Sequence, residues 1–372
     1  MMGIVGADNP FNIEGKLTID ASNNKKAWLA FFKQMNTDSR IGTLTIKNGL
    51  EIIGGSGQTA ALTLNVKDTF VTGKVKLANA NSVLNLTRSM KVEGTFTNNF
   101  TCDGIDGTGK ITIEATSYGV GGAIPTVIQN IIFNNSTNSS FKGISKGQYN
   151  DPVANISADS ELNIEMNAAS SNAVQTLRLE KGSYDTVADN ITVKNGMLSL
   201  YGDTSFKTLT LSGGYFSAAA ANDPGDAPDI GTVSFESGMW SGGTIVIDIH
   251  ADSADKIQFS GKFDKAENAD INLQFNFDPQ GMAELVDMGI SSFEDLITYE
   301  EGSGIEGTVI SGVSDNFAFE AVFGATGIDV SFSQVPEPAE FAFAFGAVAL
   351  LFALRARRQG APSLSSFNSI EL

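Results

Sequence analysis

The residue types that could carry chemistry are few, and their spacing narrows them further. The chain of 372 residues holds one histidine, His250, and one cysteine, Cys102. A Ser-His-Asp or Cys-His site needs an imidazole base held by a third group, so only His250 could serve. It lies between Asp248 and Asp252 and reads as a solvated strand end. A single cysteine cannot close an internal disulfide and excludes Cys-rich zinc sites. Carboxylate chemistry remains. Asp103 and Asp106 stand three apart in Asp103-Gly104-Ile105-Asp106-Gly107-Thr108-Gly109, and Asp223, Asp226 and Asp229 have the same spacing in a second run. Hard cations take several oxygens on a tight loop, so calcium is the ion these runs would hold. Neither has EF-hand spacing, and Asp and Gly are also what turns require. No metal site is therefore assigned. A glycosidase needs two carboxylates at a set separation, but the outward positions are mostly Thr, Ser, Asn and Lys. No catalytic residue is assigned.

Charge excludes one class of partner. Asp and Glu number 42 against 24 Lys and Arg, a net charge of -18. Phosphate would be repelled, so no nucleic acid is expected. Hydrophobic residues make up 42% and charged residues 18%, which allows a core and argues against default disorder. The 39 glycines and only 9 prolines favour many tight turns between strands.

The elements that must position these residues repeat. Leu44-Thr45-Ile46-Lys47-Asn48-Gly49 returns as Ile191-Thr192-Val193-Lys194-Asn195-Gly196 and as Leu209-Thr210-Leu211-Ser212-Gly213-Gly214. Val233-Ser234-Phe235-Glu236-Ser237-Gly238 reads as a fourth copy. Each unit is apolar-polar-apolar, two turn formers and a glycine, followed by another alternating strand. The last three copies start ~18 to 24 residues apart, the length of one coil of a β-solenoid. Inward apolar residues would stack from coil to coil, outward polar ones would face water, and glycine would supply positive φ at the corner. No coil buries its face alone, so the ends need caps.

The flanks read differently. Trp28, Phe31, Phe32 and Met35 fall at helical spacing within 27–35, which predicts a short amphipathic helix covering the sheet end. Residues 282–288 and 292–297 predict two more short helices, the second with Ser291 three residues before Glu294 as a capping box. Strands near Thr308–Ile310, Phe317–Phe323 and Gly327–Phe332 would close the far end.

The C-terminal stretch has its own order. Val335, Pro336, Glu337 and Pro338 come first; the prolines fix φ and remove two donors, so this segment is extended. An uncharged apolar run follows: Phe341, Ala342, Phe343, Ala344, Phe345, Gly346, Ala347, Val348, Ala349, Leu350, Leu351, Phe352, Ala353 and Leu354. Arg355, Arg357 and Arg358 then form a basic stop expected to stay cytoplasmic. At ~1.5 Å per residue the apolar run reaches ~21 Å against a ~30 Å hydrocarbon core, which suits a processing signal better than a permanent anchor.

Pro-Glu-Pro, a short apolar helix and an arginine cluster in this order resemble the PEP-CTERM sorting signal of Gram-negative bacteria. The resemblance implies recognition of residues 335–338 by exosortase, a membrane-embedded cysteine protease. It also implies a membrane-inserted precursor, then a mature protein at the cell surface or in the matrix. The repeats from Leu44 to Phe332 resemble the autotransporter-associated β-strand repeat. That likeness includes Gly242-Gly243-Thr244-Ile245-Val246-Ile247-Asp248 and Ser253-Ala254-Asp255-Lys256-Ile257. Residues 1–10 carry no basic and apolar leader pattern; the expectation is a start upstream in a longer precursor, with signal-less export and a decayed gene as the alternatives.

The expected fold is all-β: a single-stranded β-solenoid, a right-handed parallel β-helix, with a short N-terminal helix, an antiparallel β cap and a C-terminal transmembrane helix. The expected divisions are a strand and capping helix at 1–40, repeats at 41–250 and a cap at 251–334 with a helical insertion at 282–297. The sorting signal follows at 335–358 and a disordered tail at 359–372. The expected function is that of a structural or adhesive surface protein, not an enzyme and without cofactor, with extracellular polysaccharide as a candidate partner. A polysaccharide lyase or glycoside hydrolase on the same scaffold is the alternative.

Overall fold

In the computed structural model the described residues run from Met2 to Gln334, interrupted chiefly at 6–9, 33–40, 90–94, 117–125, 147–158, 180–188, 219–229 and 278–291; residues 335–372 lie outside them. Among the described residues every regular element is a β-strand, and from Met2 to Phe277 the strands of sheet after sheet pair in parallel, each with its counterpart one coil on. This is a parallel β-solenoid.

Three sheets run along it. The first contains Ile41–Ile46, Val66–Val71, Thr95–Cys102, Thr126–Phe133, Glu161–Asn167 and Asn190–Asn195. The second contains Leu17–Asp20, Leu50–Ile53, Val75–Leu77, Ile105–Gly107, Val174–Leu179 and Met197–Tyr201. The third, in the N-terminal half, contains Ala27–Phe32, Ala60–Leu64, Ser82–Asn85 and Lys110–Ile113. Period-two alternation explains the core: in the first sheet Ile46, Val71, Cys102, Phe133, Met166, Val193, Leu211 and Trp240 stack in register and are all buried. Burial of such a row, at ~25 cal/mol per Å² of apolar surface, gives each coil its hold on the next.

The corner between first and second sheet is made by glycine. Gly49, Gly104, Gly196, Gly214 and Gly243 have φ of 96°, 82°, 77°, 62° and 84°. Each directly precedes a second-sheet strand segment. This is the left-handed region that glycine enters without penalty. The expected repeat copies at Gly49, Gly196 and Gly214 share this place. The fourth is out of register: Val233 pairs with Thr204, whereas Leu209 and Leu211 pair with Gly238 and Trp240. The true counterpart of the corner is Gly243. Gly238 points into the core, where an added Cβ would meet the Phe259 and Phe263 rings.

Two helical expectations are corrected. Ala27–Phe32 is a strand, paired in parallel with Met2–Val5 and Ala60–Leu64. Leu29 and Phe31 stack on Leu62 and Leu64, while Trp28 faces out at 45% exposure. The same aromatic residues that fit a helical face fit a pleated one, and sheet pairing decides between them. Ser292–Thr298 is also a strand, parallel to Lys256–Phe259 and antiparallel to Gly327–Gln334. Its backbone groups serve two neighbours, and Asp295 takes a positive φ of 58° where the register shifts. Residues 282–288 and the apolar run 341–354 lie outside the described residues. Among the described residues no helix is long and apolar enough to cross a membrane.

The far end is an antiparallel meander of Val309–Ser314, Phe317–Phe323 and Gly327–Gln334. Aromatic rings seat it on the last coil. Phe275 meets Phe319 and Phe332 at 4.8 and 5.1 Å, and Phe277 meets Phe317 and Phe332 at 5.1 and 5.2 Å. Beneath them Phe206, Phe235 and Phe259 stack at 5.3 and 5.4 Å, close to the ~4.8 Å spacing of paired strands.

Candidate functional site

The most ordered outward feature is a side-chain ladder on the first sheet. Asn99 Nδ2 donates to Asp68 Oδ1 (2.7 Å), Asn130 Nδ2 to Asn99 Oδ1 (2.8 Å), Asn163 Nδ2 to Asn130 Oδ1 (3.0 Å) and Asn190 Nδ2 to Asn163 Oδ1 (2.7 Å). Thr208 Oγ1 closes it on Asn190 Oδ1 (2.6 Å). Parallel in-register pairing places these side chains directly above one another. Each amide donates one N–H and accepts one, so every bond polarises the next. The third sheet has a shorter ladder: Trp28 Nε1 and Asn85 Nδ2 both donate to Thr63 Oγ1, and Thr112 Oγ1 donates to Asn85 Oδ1.

Charged side chains follow the same logic. Glu51 lies between Lys16 (2.5 Å) and Lys76 (3.2 Å) from the coils on either side. The Lys16 hydrogen bond, with Lys76 adding to it, holds the Glu51 carboxyl below its usual range against some desolvation. Lys194 pairs with Glu165 at 2.8 Å. Two buried aspartates act as corner pegs. Asp189 Oδ2 accepts from the Leu162 N–H (2.8 Å) and Oδ1 pairs with Lys207 Nζ (2.7 Å). Asp255 accepts from the Gly231 and Asp248 N–H groups, both at 3.0 Å. Both occur as Asp-x-Ile at the start of a strand.

The calcium candidates are engaged elsewhere. Asp103 accepts from the Ser136 N–H and hydroxyl (2.5 and 2.9 Å). Asp106 accepts from the Ser140 N–H (2.9 Å) and pairs with Lys74 at 3.3 Å. Both carboxylates thus fasten a corner to the next coil. Asp223, Asp226 and Asp229 lie outside the described residues. Among the described residues no group of three or more His, Cys, Asp or Glu side chains gathers to hold a metal ion.

His250 is less solvated than its position in the sequence suggests: its Nε2 is buried without a protein partner, and its backbone N–H donates to Ser253 O at 2.8 Å. Cys102 belongs to the inward row, and burial pushes its thiol far above the ordinary cysteine range. A thiol held protonated in this way is a poor nucleophile.

The ladder itself went unread in the sequence. Its signal is an asparagine directly before an inward apolar residue, in Asn99-Phe100, Asn130-Ile131, Asn163-Ile164 and Asn190-Ile191. The rungs lie 31, 33 and 27 residues apart, too irregular for a search at fixed period.

No protein-family model matches this chain, and no curated protein matches it. Its function therefore has to be argued from its own residues.

Proposed function

We propose that this protein is a non-catalytic structural or adhesive component of the cell surface or matrix of a Gram-negative bacterium, built on a right-handed solenoid. Its C-terminal sorting signal would be read and processed by exosortase. The observation that carries the structural half is the continuous ladder from Asp68 to Thr208. Along it, outward side chains bond to one another and stiffen a long polar face that could lie against extracellular polysaccharide. The acidic groups support the same reading. Glu51, Asp106, Glu165 and Asp189 each pair with a lysine, so these four acids fasten coils instead of standing as the free acid and base that glycoside cleavage requires.

The sorting half rests on the sequence of residues 335–358: Val335-Pro336-Glu337-Pro338, then the uncharged apolar run 341–354, then Arg355, Arg357 and Arg358. The test follows an N-terminally tagged full chain in an exosortase-bearing host, with and without Pro336→Ala, Glu337→Ala and Pro338→Ala together. The wild-type chain should lose mass and move to the surface or medium. The triple variant should keep full length and stay with the membranes. Equal size and equal fractionation of the two would reject the sorting assignment.

A further inference from the structure

Val309 and Val313 are the two most exposed large hydrophobic side chains among the described residues, at 56% and 65%. Both lie on Val309–Ser314, the outermost strand of the cap meander, which among the described residues pairs with Phe317–Phe323 alone. The strand carries no charge and no proline, and its register with that neighbour is unbroken. Sheet edges are commonly blunted by lysine, proline or a bulge, and this one has none of the three.

The direction of its backbone groups follows from the residue before it. The Phe323 N–H donates to Thr308 O at 2.9 Å. In an antiparallel ladder alternate residues turn both backbone groups to the same neighbour. Thr308, Ile310 and Gly312 therefore face Phe317–Phe323, and Val309, Ser311 and Val313 present their N–H and C=O groups to the open edge.

Along this edge the residues are palindromic about Ser311. In an antiparallel pairing of two copies with Ser311 opposite Ser311, Val309 of each lies beside Val313 of the other on the outer face. On the inner face Ile310 of each meets Gly312 of the other, over which that copy's own Phe319 ring lies, so apolar meets apolar. Charge selects the same approach. Val309–Ser314, Phe317–Phe323 and Gly327–Gln334 hold the exposed acids Glu320 and Asp329 and no lysine or arginine, so a second copy laid flat on this face would set acid against acid. Across the paired edge the two Glu320 carboxylates, each opposite Ser311 on its own copy, stand three strand spacings apart, ~14 Å, beyond the ~8 Å Debye length at physiological salt.

We propose that this edge joins two copies of the chain in a two-fold pair. Val309, Ser311 and Val313 of one copy face Val313, Ser311 and Val309 of the other, and each register pair exchanges two backbone hydrogen bonds. The same strand is buried on both sides, as a two-fold contact requires, and the cap sheet runs on from one copy into the next. The contact is far smaller than the ~20 to 30 residues a side of a standard interface, so the pair is weak, with Kd ~10 to 100 µM. It rests neither on the sorting signal nor on polysaccharide binding.

The test is sedimentation of the full chain from ~1 to ~300 µM, which spans the expected Kd, in mild detergent so that the apolar run 341–354 does not itself associate. Amide hydrogen exchange is read on the same samples. The expected result is a monomer–dimer equilibrium in which exchange at Val309, Ser311 and Val313 slows as the dimer forms, while Ile310 and Gly312 stay unchanged. Ser311→Lys sets two ammonium groups opposite each other at the two-fold axis and should weaken the pair about tenfold or more, with circular dichroism and urea midpoint unaltered. Ser311→Pro removes a donor that points out of the sheet, a change that edge strands tolerate, and should do the same. A chain that stays monomeric throughout overturns the proposal. A dimer that the folded variants leave intact also overturns it, because another surface then makes the contact. Slow exchange at Val309, Ser311 and Val313 that ignores concentration overturns it too, because the chain itself then covers the edge. Should Ser311→Pro fail to fold, Ser311→Lys decides, since its side chain lies on the exposed outer face.

Discussion

Asp189 and Lys207 form an ion pair at 2.7 Å in which the carboxylate side chain is fully buried and the lysine is 41% exposed. The two partners are therefore not equivalent. Asp189 also accepts the Leu162 N–H, and its own backbone receives the N–H groups of Lys207 and Thr208 at 2.8 and 3.0 Å. Removing the carboxylate strands a buried backbone donor; removing the lysine leaves a fully buried carboxylate without its counter-charge.

Asp189→Ala should accordingly cost about 3 kcal/mol, in the range for breaking a buried charged network. Lys207→Met should cost a similar amount, about 3 kcal/mol, because it leaves the buried Asp189 charge uncompensated. Urea unfolding of the two variants checks both values. The pair also has a pH signature. Its hydrogen bond to Asp189 raises the Lys207 pKa. That contribution is fully present below the unfolded lysine value of about 10.4 and is lost as pH rises through the higher folded value. The stability gap between wild type and Lys207→Met should thus close above pH ~10.5.

How much of this was legible in the sequence depends on what each residue answers to. The corner glycines Gly49, Gly196 and Gly214 were readable because positive φ demands glycine whatever the neighbours are. Trp28 and Phe31 misled because a 3.6-residue and a two-residue period overlap in so short a run, and only pairing with Ala60–Leu64 separates them. Val233 misled because the solenoid adds a strand segment there, from Thr232 to Phe235, before the usual first-sheet position. The asparagine ladder is a relation between coils of unequal length, so no local window contains it.

Glu51 gives a second pH test, of opposite sign. Lys16 first and Lys76 next hold its carboxyl below the usual value. A depressed acid contributes stability above its unfolded pKa of about 4.3 and loses it as pH falls through the folded value. Glu51→Gln should destabilise by about 0.5 to 1 kcal/mol at pH 7 in low salt. The deficit should shrink in ~1 M salt, where the Debye length falls to about 3 Å. It should also shrink below pH ~4. A deficit that ignores both salt and pH would show that Glu51 acts by packing alone.

Cys102 should be inert in the folded chain. Its side chain is 1% exposed in the inward row between Val71 and Phe133, and burial is the main cause of its raised pKa. A thiol reagent such as a disulfide dye should leave the native protein unlabelled at pH 8 over hours and label one equivalent in denaturant. Rapid native labelling would mean that this part of the solenoid opens locally.

The ladder allows the sharpest test, because its rungs share bonds. Asn130 donates to Asn99 and accepts from Asn163. Asn130→Ala removes both bonds and should cost about 1 to 2 kcal/mol, at ~1 kcal/mol per bond. Asn163→Ala removes its bonds to Asn130 and Asn190 and should cost the same. The double variant loses three bonds in total, since one is common to both. It should therefore cost less than the sum of the singles by about one bond, a coupling of 0.5 kcal/mol or more. Asn99 and Asn190 provide the control, because they bond to no common rung partner directly and sit three coils apart in the column. Their double variant should be additive to within about 0.5 kcal/mol. Additivity at Asn130 and Asn163 would mean that the amides are satisfied by water as well as by each other, and that the outer face owes its stiffness to the apolar rows beneath it.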